Sequence, residues 1–60
     1  MENRLPNDPV MLLSVINTKL RDYYPNLEML CEDMHLEPEW LCEKLRMIDY
    51  EYDAGQNRFL

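Results

Sequence analysis

The stretch from Leu30 to Leu45, Leu-Cys-Glu-Asp-Met-His-Leu-Glu-Pro-Glu-Trp-Leu-Cys-Glu-Lys-Leu, leaves this chain few ways to fold. Apolar residues recur at helical spacing on both sides of a break, Leu30 and Met34 before it, Leu41 and Leu45 after it. Pro38 has no amide hydrogen to offer a helix interior but fits a first helical position, with Glu37 at the cap. His35 takes the turn position usually held by Gly, Leu36 points inward from the turn, and the small Cys31 sits where the two helices must approach closely. This is the spacing of a helix-turn-helix, and the remaining residues read as its cover and its support.

The cover is an upstream helix. After a polar lead-in with Leu5 as its apolar anchor, Asn-Asp-Pro at 7–9 is a start signal: Asp8 can cap free amides and Pro9 opens the first turn. The helix is expected over about 9–23 and stops before Pro25, because a proline disfavours helical geometry in the residue before it. At about 100° per residue, Val10, Leu13, Ile16, Asn17, Leu20 and Tyr24 share one face, Leu12 and Tyr23 flank it, and Met11 and Val15 point the other way. Asn17 within that stripe needs hydrogen-bond partners, either a nearby loop backbone or a symmetry-related copy across a dimer interface. Asn26 is a natural cap for a second helix over about 27–34, and the third is expected over about 38–47 with Ile48 extending its seam.

From residue 50 the period changes. Tyr50-Glu51-Tyr52-Asp53 alternates aromatic and acidic residues, Ala54-Gly55-Gln56 carries turn chemistry, and Phe59 returns. The spacing predicts a β-hairpin over about 50–60 with Gly55 at positive φ, leaning on the helices through Tyr50, Tyr52 and Phe59. The expected fold is therefore mainly α, a three-helix helix-turn-helix core of minimal winged-helix type with a short C-terminal hairpin, in a single domain over 1–60.

That layout belongs to many DNA-binding domains, but the charge opposes the function. Twelve acidic side chains against six basic ones give a formal charge of −6, whereas phosphate backbones and anionic membranes both require a positive face. The outward positions of the third helix read Glu37, Glu39, Cys42, Glu43 and Arg46, where groove readers carry Arg, Lys, Asn and Gln. No stretch is long and apolar enough to span a bilayer, the start of the chain does not read as an export signal, and the two cysteines read as reduced thiols of a cytoplasmic protein.

Cys31, His35 and Cys42 lack a fourth ligand at a metal-site spacing, so neither metal nor other cofactor is expected. Ser14 has no base nearby in sequence, and a chain of this length has little room for a concave small-molecule site, so no catalysis is expected. What is left over is apolar surface: Met11 and Val15 on the outer face of the first helix, and Trp40 with Met47 on one flank of the third. Met and Trp are enriched where proteins meet. The expected function is a non-catalytic protein-interaction module, with a protein partner or a second copy as occupant. A helix-turn-helix DNA regulator, acting as a dimer or beside a basic partner, is the alternative.

Leu-Pro-Asn-Asp-Pro-Val-Met-Leu-Leu-Ser at 5–14, Asn-Thr-Lys-Leu-Arg-Asp-Tyr-Tyr-Pro at 17–25, and Tyr-Glu-Tyr-Asp with Asn-Arg-Phe at the end resemble a family of short bacterial proteins, the domain of unknown function DUF4250. The likeness covers nearly the whole chain. It implies a small bacterial cytoplasmic protein and supplies no catalytic or binding residues to carry over.

Overall fold

Proline and asparagine set the helix starts. A computed structural model describes residues 5–60; the first part of the expected lead-in lies outside the described residues. Helix α1 spans Pro9–Asp22, α2 Leu27–Met34 and α3 Pro38–Arg46, followed by strands β1 (Tyr52–Asp53) and β2 (Arg58–Phe59). Pro9 and Pro38 occupy first-turn positions, and Asn26 caps α2 by accepting from the Met29 amide at 2.8 Å. Asp8 does not cap α1 with its side chain; only its carbonyl accepts, from the Leu12 amide at 2.8 Å.

The turn between α2 and α3 is built as the spacing predicts. His35 is left-handed at φ 58°, its amide donates to the Glu32 carbonyl, and the Leu36 amide donates to Cys31 at 2.8 Å. These two bonds form a Schellman motif, which returns orphan helix carbonyls to donors and aims Leu36 at the core. A second such reversal follows α3: Asp49 takes φ 65°, and the Tyr50 amide reaches back to the Leu45 carbonyl at 3.0 Å.

The core consists of Leu12, Ile16 and Leu20 from α1, Leu27, Leu30 and Cys31 from α2, Leu41 and Leu45 from α3, and Phe59 from β2. Two expectations for α1 are corrected. Val10, placed on the inner face, is 60% exposed, and Leu12, placed on its flank, is fully buried. The row at i, i+4 and i+8 carries only Leu and Ile, so it buries more apolar area than the row that includes Asn17 and takes the centre. Leu13 and Tyr24 pack on the margin.

The hairpin is antiparallel, with Tyr52 opposite Phe59 and Asp53 opposite Arg58. Their rings meet at 5.5 Å between the centroids of Tyr52 and Phe59. The left-handed residue of the turn is Asn57 at φ 55°, not Gly55; Gly55 instead donates its amide to Asp53 Oδ1 at 3.1 Å. Asparagine visits the left-handed region more readily than other branched or bulky residues, and here its side chain has work that Gly could not do.

Candidate functional site

Two surfaces merit description: the seam where the hairpin meets α1, and the apolar side chains left outside the core. The seam begins with the ladder. Glu51 and Leu60 exchange both backbone hydrogen bonds, at 3.0 and 2.9 Å. At the neighbouring Tyr52–Phe59 pair the backbone groups of Phe59 therefore point away from β1. Asn17 meets both of them: its Nδ2 donates to the Phe59 carbonyl at 3.0 Å, and its Oδ1 accepts from the Phe59 amide at 2.8 Å. The side-chain amide thus acts as one residue of a third strand and closes the edge of β2. The partner is a backbone, as one sequence-based alternative has it, but it lies in the hairpin rather than in a nearby loop.

Asn57 makes the second set of contacts. Its Nδ2 donates to the carbonyls of Leu20 at 3.1 Å and Tyr24 at 3.0 Å, closing the C-terminal end of α1. Its Oδ1 accepts from the Tyr52 hydroxyl at 2.7 Å, and the Tyr52 hydroxyl oxygen in turn accepts from the Leu27 amide at 3.2 Å. One network therefore joins the hairpin to the end of α1 and the start of α2. Among the described residues no buried side-chain nitrogen or oxygen lacks a partner.

Beside this seam lies a groove of about 570 Å³, lined by Ser14, Asn17, Thr18 and Arg21 of α1 and by Gln56, Asn57 and Arg58 of the hairpin. In the sequence Arg58 stands only as the single base of the expected hairpin, beside Glu51 and Asp53, and Arg21 has no expected role. Two further grooves have a different character: one of about 450 Å³ on α3 includes Glu39 and Glu43, and one of about 300 Å³ by the α2 end includes Glu32, Asp33 and His35. Arg21 is bonded sideways to Asp22 at 2.9 and 3.1 Å, which raises the guanidinium pKa and lowers that of the carboxyl. Both groups are exposed, so this pair orients Arg21 more than it stabilises the fold. Tyr24 donates its hydroxyl to Asp33, and losing that proton beside a carboxylate is harder, so the phenol pKa is raised.

The four residues read as a contact surface fall as follows. Met11 and Met47 are 58% and 71% exposed, Trp40 is 40% exposed, and Val15 is half-buried rather than outward. Val10 and Leu60 join the exposed apolar residues, and the sequence pattern had placed Val10 inside.

Cys42, expected on the outer face of α3, is half-buried and packs against the core. Burial pushes up the pKa of both thiols, and Cys31 is raised further by nearby Cys42 and Glu37. Among the described residues no group of three or more His, Cys, Asp and Glu is placed to hold a metal ion. No helix of the described residues is long and apolar enough to cross a membrane.

A family model described as a domain of unknown function (DUF4250) matches residues 6–59. Comparisons with curated proteins and with solved structures return no match.

Proposed function

This chain belongs to the DUF4250 family, and from that premise we propose that it is a non-catalytic, cytoplasmic protein-interaction module that works through the apolar side chains outside its core. The observation that carries the reading is the exposure of Met11 on α1 and of Met47 at the C-terminal cap of α3, at 58% and 71%, while the inner faces of those helices are already filled by Leu12, Ile16, Leu20, Leu41 and Leu45. Large flexible side chains at such positions add nothing to the core and offer adaptable contact area to a partner. Trp40 supplies a partly exposed aromatic on α3, the helix that Met47 caps, and Met and Trp are residue types enriched in interfaces.

The order of elements, three helices and a hairpin, favours DNA binding as the competing reading. It is opposed by Glu37, Glu39 and Glu43, all exposed at the start of and along the would-be reading helix. Affinity capture from a bacterial lysate, run beside sedimentation of the free protein, tests the first reading. The expected result is capture of a protein, or a dimer, that is lost in Met11→Glu or Met47→Glu while helical content is unchanged. A monomer at hundreds of micromolar whose captured proteins are the same with both variants overturns it. Salt-sensitive retention on duplex DNA, unaffected by either variant, installs the alternative.

A further inference from the structure

We propose that the groove between α1 and the hairpin binds a small oxyanion ligand, a phosphate ester or a dicarboxylate, held between Arg21 and Arg58. The charge distribution sets this groove apart. In a chain with twelve acidic and six basic side chains, the described residues that line this groove include two guanidiniums and no carboxylate, while the other two grooves include carboxylates. Guanidiniums are planar, permanently charged forks that match the oxygens of phosphate and carboxylate.

Some of the polar groups around the groove are already engaged. Asn17 and Asn57 direct their amides to the Phe59, Leu20 and Tyr24 backbone, so they form a fixed floor. Among the described residues that leaves the Ser14 and Thr18 hydroxyls, the Gln56 amide, the Arg58 guanidinium and the part of the Arg21 guanidinium not bonded to Asp22 to meet a ligand. Ser14, Thr18 and Arg21 recur at i, i+4 and i+7, which sets them on one stripe of α1 facing the hairpin residues Gln56 and Arg58. Asp22 holds Arg21 through Nε and Nη2, which fixes the plane of its fork and leaves Nη1 for the ligand.

Size and net charge select the ligand class. A volume of about 570 Å³ lies within the ordinary range of small-molecule sites, about 300–1,000 Å³. A net charge of −6 repels a long polyanion over its whole length. A compact dianion feels chiefly the charges within a Debye length of about 8 Å; among the described lining residues those are the two arginines, with Asp22, 2.9 Å from Arg21, offsetting part of one of them.

The test is titration of isotope-labelled protein with inorganic phosphate and, separately, with succinate, each against sodium chloride of equal ionic strength, followed by amide chemical shifts. The expected result is a saturable shift centred on 14–21 and 56–58, at least tenfold weaker in Arg58→Gln and in Arg21→Gln, and unchanged in Lys19→Gln, whose side chain does not line the groove. All three side chains lie on the surface or half-exposed, so folded spectra are expected throughout. Saturation by phosphate alone assigns a phosphate ester, by succinate alone a dicarboxylate, and by both an unselective oxyanion site. Shifts no larger than those of sodium chloride, or equal in parent and both arginine variants, overturn the proposal.

Discussion

The α2–turn–α3 pair and the α1–hairpin seam lie in one small molecule and are held together by opposite means. The pair meets through Leu30, Cys31, Leu41 and Leu45, and its turn is closed by backbone bonds that span only three to five residues. The seam is closed by side chains, with Asn17 reaching Phe59 across 42 residues and Asn57 reaching Leu20 across 37. The difference follows from what each piece can do alone. Two amphipathic helices can be placed by burying apolar stripes, which is strong but weakly directional. A hairpin with two-residue strands has too few ladder bonds to hold itself, and its backbone must be satisfied from outside. Directional bonds set its position, and Phe59 then supplies the burial.

The largest effect expected from breaking this contrast is at Asn17. Asn17→Ala removes both bonds to Phe59 and leaves a half-buried amide and carbonyl without partners, a loss of about 2–3 kcal/mol. A core of this size supplies roughly 3–5 kcal/mol, so the variant should be close to unfolded at room temperature. Because Phe59 belongs to the common core, the two regions should fail together: urea unfolding should show a lower midpoint at an unchanged slope. A loss under about 1 kcal/mol would shift the seam's strength from these directional bonds to the burial of Phe59.

The same contrast decides how much of the molecule could be read in advance. The helix starts, the stop before Pro25 and the left-handed His35 follow from local rules that involve neighbours a few residues apart. The stripe on α1 was harder, because Leu12 and Leu13 are adjacent; the all-aliphatic row of Leu12, Ile16 and Leu20 takes the centre, and Asn17 on the neighbouring row meets the hairpin. The polar position of Asn17 signalled a partner, but nothing local could name Phe59. In the turn, Gly55 is the residue that backbone sterics favour, and Asn57 takes the left-handed place because its amide has three oxygens to meet. The arginine groove was illegible for the same reason: Arg21 and Arg58 come together only once that seam is closed.

A smaller effect at Asn57 separates backbone from side chain. Asn57→Gly keeps positive φ at no steric cost but loses the bonds to Leu20, Tyr24 and Tyr52, and should cost about 1–2 kcal/mol. Asn57→Ala loses those bonds and also carries a Cβ in the left-handed region, adding about 1 kcal/mol. Thermal unfolding of the two variants measures the difference. Equal melting temperatures would mean that the loop relaxes out of φ 55° once the side chain is gone.

The smallest effect has the opposite sign and lies in the other region. His35 shares the left-handed conformation of Asn57, at φ 58°, yet the bonds that close its turn come from backbone amides, its own and that of Leu36. A Schellman position asks only for a left-handed backbone, which Gly adopts without the Cβ clash that other residues carry. Gly also has more freedom to lose from the unfolded chain, which offsets part of the gain. His35→Gly should therefore raise stability by about 0.5–1 kcal/mol, read as a higher urea midpoint. The same substitution should then stabilise at 35 and destabilise at 57, two positions whose φ values differ by 3°. A loss at His35 would show that its ring, like the Asn57 amide, has a structural partner, and the helix pair would no longer be held by apolar burial and local backbone bonds alone.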